Sequence, residues 1–84
     1  MVIGNLESQR YDVYAADGNN NGDILERQLS FSHLNAQFYL NAVPEVNCKP
    51  IELLNVGDHT YFETRMSGPC AINKRYKIVR VTPE

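Results

Sequence analysis

The stretch Asp17-Gly18-Asn19-Asn20-Asn21-Gly22-Asp23-Ile24 decides the fold, because the same residues serve either a calcium loop between two helices or a tight connection between two strands. An EF-hand loop needs oxygen ligands at its first, third and fifth positions, glycine at the sixth and an apolar residue at the eighth. Asp17, Asn19, Asn21, Gly22 and Ile24 fill those places. The twelfth position must supply a bidentate carboxylate, and here it is Gln28, whose amide does not chelate in that way. An EF-hand also needs flanking amphipathic helices, whereas Arg10-Tyr11-Asp12-Val13-Tyr14 spaces its aromatic and β-branched residues with the two-residue period of a strand. The reading that follows is a polar hairpin loop. A calcium-binding, EF-hand-like loop over residues 17–28 is the further alternative, and no metal or other cofactor is assigned.

Working outward, Arg10–Ala16 and Ile24–Phe31 become the two strands of an N-terminal hairpin. Asp23 followed by Glu26 has the outline of a capping box, so a helix from Ile24 competes with the second strand. Ser32 caps a helix expected from His33 to about Val43, with Leu34, Phe38 and Ala42 along one side and Ala36, Tyr39, Leu40 and Val43 along another, ended by Pro44. An apolar surface that wide points to contact on more than one side, with a second copy of the chain as one candidate. Residues 44–56 read as a connecting loop with a short strand, in which Ile51, Leu53 and Leu54 are expected to be buried. The turn at Val56-Gly57-Asp58 feeds a strand from His59 to Met66, with Phe62, Thr64 and Met66 on one side and Tyr61, Glu63 and Arg65 on the other. Ser67-Gly68-Pro69 stops it, and Arg75–Val81 returns antiparallel. The fold class is α+β: a small antiparallel sheet of two hairpins packed by one helix. If Gln37–Leu40 were extended instead, a small all-β barrel would result.

The 84 residues, 43% of them hydrophobic, form a single domain, 1–84, with one core. No window approaches the ~20 apolar residues of a helical membrane span, and the N-terminus lacks a basic region followed by an apolar run. Cys48 and Cys70 without such a signal are expected to be reduced thiols in the cytoplasm. The formal charge of −2 hides an asymmetry: residues 1–63 carry net −6, and residues 64–84 carry net +4. If Arg65, Lys74, Arg75, Lys77 and Arg80 share a face, that face attracts an acidic protein patch or nucleic acid. If instead they pair with the acidic remainder, they neutralise it internally.

Chemistry is sparse. A nucleophile would be Cys48 or Cys70 activated by His33 or His59, but no diagnostic spacing links them. Those four residues also lack the close cysteine pairs of structural zinc. The ten carboxylates single out no acid/base pair, and no glycine-rich loop is followed by the lysine and hydroxyl of a phosphate loop. Ile51-Glu52-Leu53, then Val56-Gly57-Asp58 and a tyrosine-containing strand, resemble part of the RNA-binding PUA-like barrels over about a third of the chain. They match no motif specific to them, and no family is assigned. The expectation is not an enzyme but a protein-binding module that starts at its own methionine and blocks or adapts a larger protein partner, in the manner of a small viral or mobile-element inhibitor. The alternative is single-stranded nucleic-acid binding through the basic C-terminal hairpin. Either function is expected to use Tyr61, Arg65, Lys74, Arg75, Tyr76, Lys77 and Arg80.

Overall fold

The structure is a computed structural model that describes residues 8–39, 42–64 and 74–84. Five strands, β1 (Arg10–Ala15), β2 (Ile24–Leu29), β3 (Ala42–Pro44), β4 (His59–Thr64) and β5 (Lys74–Val81), form one antiparallel sheet in the order β2-β1-β5-β4-β3. The two expected hairpins are β1/β2 and β4/β5, and β5 joins them by pairing with β1 from Arg10↔Val81 to Ala15↔Tyr76. The sheet is open, with β2 and β3 at its edges, and a helix packs on it. This excludes the barrel and bears out the α+β class.

The Asp17 loop connects strands. Gly18 and Gly22 take φ of 68° and 95°, a left-handed conformation that glycine adopts without steric cost. The loop is closed by the Gly22 N–H on the Ala15 carbonyl at 2.8 Å and the Asp23 N–H on the Asn20 carbonyl at 2.9 Å. Asp17 has a structural partner: its Oδ2 accepts the Arg75 N–H at 2.9 Å, which ties the loop to the start of β5. Gln28 points elsewhere, donating to the Thr82 carbonyl at 3.1 Å and accepting from the Glu84 N–H at 3.2 Å.

Helix α1 (Phe31–Leu34) is capped by Ser30 rather than Ser32, the Ser30 side chain accepting from the His33 N–H. It continues as a π-helical segment, Asn35–Tyr39, and is shorter than expected. Ala42 and Val43 belong to β3, paired with Thr64 and Glu63. The physical reason lies at Pro44: proline disfavours helical backbone in the residue before it, while the free edge of β4 offers partners to an extended chain. The broad apolar helix surface that pointed to a second copy is therefore not formed. Phe31, Leu34, Phe38 and Tyr39 instead turn one stripe to the sheet.

The core contains Tyr11, Val13, Leu34, Ile51, Leu54, Phe62 and Ile78, all essentially inaccessible to solvent. Rings interlock above them: Tyr76 lies 5.3 Å from both Phe38 and Phe62, and Tyr39 meets Phe62 edge-on at 5.5 Å. Such contacts add to the hydrophobic term by restricting geometry. A single 3-10 turn, Ile51–Leu53, delivers Ile51 and Leu54 inward. Leu53, expected inside, is 64% exposed, because three residues per turn cannot send three apolar side chains in one direction.

Both edges are guarded. Strand β2 is irregular at two places in its pairing with β1, has Gln28 at φ 55° and exposes Glu26 and Arg27. Strand β3 has only three residues and ends in proline. Bulges, charges, short length and proline all discourage edge-to-edge pairing.

Candidate functional site

Every strand residue in the core cluster lies on the helix-covered face of the sheet, so successive residues alternate between that face and an open one. The alternation divides the residues that the sequence grouped. On the open face Tyr61 stands opposite Lys77 and Glu63 opposite Arg75. On the core face Phe62 stands opposite Tyr76, Thr64 opposite Lys74, and Arg80 opposite the buried Tyr11. The seven proposed binding residues therefore do not share one surface. Tyr61, Arg75 and Lys77 come together, Lys74, Tyr76 and Arg80 lie on the other side, and Arg65 falls outside the described residues.

Those on the core face have structural partners. Tyr76 is a core ring, and burial raises its hydroxyl pKa, with Asp17 adding to the effect. Arg80 donates from Nη1 to the Leu54 carbonyl at 2.7 Å, while its Nε is buried without an acceptor among the described residues. Lys74 lies at the exposed end of β5, where its backbone meets the Thr64 hydroxyl at 3.4 Å.

The open face has a different organisation. Strand register places Ile24 beside Tyr14, Tyr14 beside Lys77, and Lys77 beside Tyr61. One residue each from β2, β1, β5 and β4 thus forms a row across the sheet, spanning roughly 14 Å at the usual strand spacing. A groove of about 520 Å³ runs along the Tyr14–Lys77–Tyr61 part of it, lined by Tyr14, Tyr61, Arg75, Lys77 and Val79 and bounded by Asn21 and Gly22 of the hairpin loop. At its border the Arg75 guanidinium lies 4.1 Å from the centre of the Tyr61 ring, a cation–π arrangement. Arg75 also binds Glu45 through Nε–Oε2 at 2.5 Å and Nη2–Oε1 at 3.0 Å. This fork holds the Glu45 carboxyl below its ordinary pKa, mainly through the Arg75 hydrogen bond, and raises that of Arg75. His59 completes the margin, edge-on to Tyr61 at 5.5 Å.

The face is close to neutral. Arg75 is matched by Glu45, Lys49 by Asp58 at 3.2 Å, and the Asp12 carboxylate accepts the Gln28 N–H at 3.0 Å. Asp58 titrates below its ordinary range, chiefly because its carboxylate accepts the Asn55 N–H and then because of Lys49. Lys77, half-buried in the row, has no hydrogen-bonding or ionic partner among the described residues.

Tyr14, Ile24, Val79 and Glu45 are members of this surface that sequence reasoning missed. Tyr14 was readable as a strand residue, but its place beside Lys77 depends on the β1–β5 pairing, which joins the two ends of the chain. Nothing local marks Glu45, 30 residues from its partner.

The candidates for chemistry stand apart. His33 contacts Ser30, with Nδ1 and Oγ 3.0 Å apart, as part of the exposed helix cap. His59 is on the open face, Cys48 is a half-buried free thiol, and Cys70 lies outside the described residues. Among the described residues no cluster of three or more His, Cys, Asp or Glu side chains is arranged to hold a metal, and no helix is long and apolar enough to cross a membrane.

Fold and surface together define the class: a small α+β domain presenting one open face of a five-stranded antiparallel sheet. No protein-family model matches the chain, and no curated protein or solved structure is significantly similar to it.

Proposed function

We propose that this chain is a non-catalytic protein-binding module, an inhibitor or adaptor of a larger protein, working through the open face of its sheet. The observation that carries the reading is the row Ile24–Tyr14–Lys77–Tyr61 with the Arg75 stack at its border. Tyrosine and arginine over a shallow groove are the residue types that carry most binding energy at protein interfaces, and the near-neutral surroundings suit a protein better than a polyphosphate chain. The guarded strand edges favour docking on the face over strand addition.

The test is affinity capture from the native host with the intact chain, followed by calorimetry on the captured protein. Tyr14→Ala with Tyr61→Ala is expected to abolish binding, while Leu53→Ala, at an exposed site beyond the row, leaves it intact. Normal binding by the double variant would remove the open face from the function. Nucleic-acid binding is the second reading, because the same tyrosines can stack on bases beside Lys77. A labelled oligouridylate in a salt series separates the two, since neutralising phosphates makes affinity fall steeply with salt.

A further inference from the structure

Lys77 is a half-buried cation in the middle of the row, and its surroundings define what would complete it. Tyrosines stand on both cross-strand sides, Arg75 and Val79 precede and follow it on its own face of β5, and two of the nearby acids have other partners: Glu45 binds Arg75 and Asp12 binds the Gln28 N–H. Glu63 faces Arg75 in the register, one step along β4 from Tyr61, and makes no ion pair with Lys77. Flanked by rings, the Lys77 ammonium has no ionic or hydrogen-bonding partner among the described residues. A carboxylate placed on it would supply the missing counter-charge, and the docked partner would shield the pair from bulk water. The apolar and aromatic neighbours, Ile24, Tyr14 and Tyr61, would meet apolar groups on either side.

We infer that the partner's binding segment is acidic, placing one Asp or Glu carboxylate on Lys77 and flanking apolar side chains against Ile24, Tyr14 and Tyr61. This rests on the protein-binding reading and adds the chemistry of the partner. The charge count supports it: Arg75 is already held by Glu45, so among the described residues that line the groove Lys77 is the one uncommitted cation, matched by one carboxylate rather than by a run of phosphates.

The experiment selects peptides from a random phage library on the intact chain and measures their affinities with synthetic copies. The expected result is a family of peptides with an Asp or Glu at one fixed position between apolar residues. Lys77→Met should weaken their binding roughly thirtyfold or more, as for a shielded charge pair that loses one partner. Lys77→Glu should abolish it, and changing the peptide's acid to Lys should restore binding to Lys77→Glu. Circular dichroism on each variant verifies folding. Peptides that depend on Tyr61 but carry no fixed acid, or bind Lys77→Met unchanged, would overturn this inference and leave the protein-binding reading standing. Failure to select any peptide sensitive to Tyr61→Ala would overturn both. Oligouridylate binding that requires Lys77 and falls steeply with salt would overturn both in favour of nucleic acid.

Discussion

The two faces of β5 contrast within a single strand. Tyr76, Ile78 and Arg80 turn toward the helix, where Tyr76 and Ile78 fill the core and Arg80 hydrogen-bonds a carbonyl beneath it. Arg75 and Lys77, one step out of phase, turn to the open groove. A segment that is strongly basic when counted along the chain is thus not a basic surface, because a strand sends its neighbours in opposite directions. One open-face cation is matched by Glu45, and Lys77 has no ionic or hydrogen-bonding partner among the described residues. Charge asymmetry along a sequence becomes surface charge only after the period of the element has divided it.

The sharpest way to break the contrast is to truncate neighbouring residues on opposite faces. Phe62 is fully buried, and Phe62→Ala is expected to remove about 3–5 kcal/mol through lost transfer energy and the cavity left behind. In a chain this short that approaches the whole stability, so urea melts should show a largely unfolded protein. Tyr61→Ala, one residue earlier, should cost about 1 kcal/mol or less, as surface changes do, while removing partner binding. Equal destabilisation by the two would mean that the open face is packed and not a docking surface.

A smaller effect is expected at Asp17, where the calcium reading and the hairpin diverge. Its carboxylate accepts the Arg75 N–H, so Asp17→Ala should cost about 1–2 kcal/mol by leaving that donor without its partner. The loss should be the same with and without calcium. A melting temperature that rises by several degrees in millimolar calcium in the wild type, but not in Asp17→Ala, would restore the EF-hand-like alternative.

Arg80 and Lys77 sharpen the contrast further, since the sequence treated them alike. Replacing Arg80 by Met removes one hydrogen bond to Leu54 but also removes a buried Nε that has no acceptor among the described residues. The two terms oppose, and a net change within about 1 kcal/mol is expected, with partner binding unaffected. Lys77→Met should leave the melt equally unmoved and weaken the complex. Binding loss at Arg80 with the fold intact would show that the partner reaches past the edge of the sheet.

Strands β1, β4 and β5 were legible because each follows a period of two over at least six residues, and the parity that separates Tyr76 from Lys77 was present in the same pattern. The end of the helix was not legible. Whether Ala42 and Val43 continue a helix or join an edge depends on β4 lying nearby, which is tertiary information. Nor was the row itself, because Ile24, Tyr14, Lys77 and Tyr61 meet only through the pairing of β1 with β5, more than 60 residues apart at Arg10↔Val81. The cap at Ser30 instead of Ser32 is a local error: both serines suit the position, and the first places Phe31, Leu34 and Phe38 on the stripe that packs.

The smallest expected effect concerns pH and tests whether Arg75 belongs to the fold or to the groove. Arg75 holds the Glu45 carboxyl below its ordinary value of 4.5, so the folded state takes up a proton there less readily than the unfolded chain. The resulting stability is present above the unfolded pKa and is lost as pH falls through the lowered folded value. Both groups remain partly exposed, 41% for Arg75 and 28% for Glu45, so solvent screening limits the contribution to about 0.5–1 kcal/mol. Glu45→Gln should therefore destabilise the protein by that amount near neutral pH and by progressively less as the wild-type carboxyl protonates, so that the two melting curves converge in acid. Asp58, also lowered, leaves both proteins a remaining acid transition. High salt should narrow the difference at neutral pH. If Glu45→Gln instead leaves stability unchanged at every pH but alters partner binding, the Arg75–Glu45 fork acts as part of the docking surface, holding the guanidinium over Tyr61, rather than as a strut of the sheet.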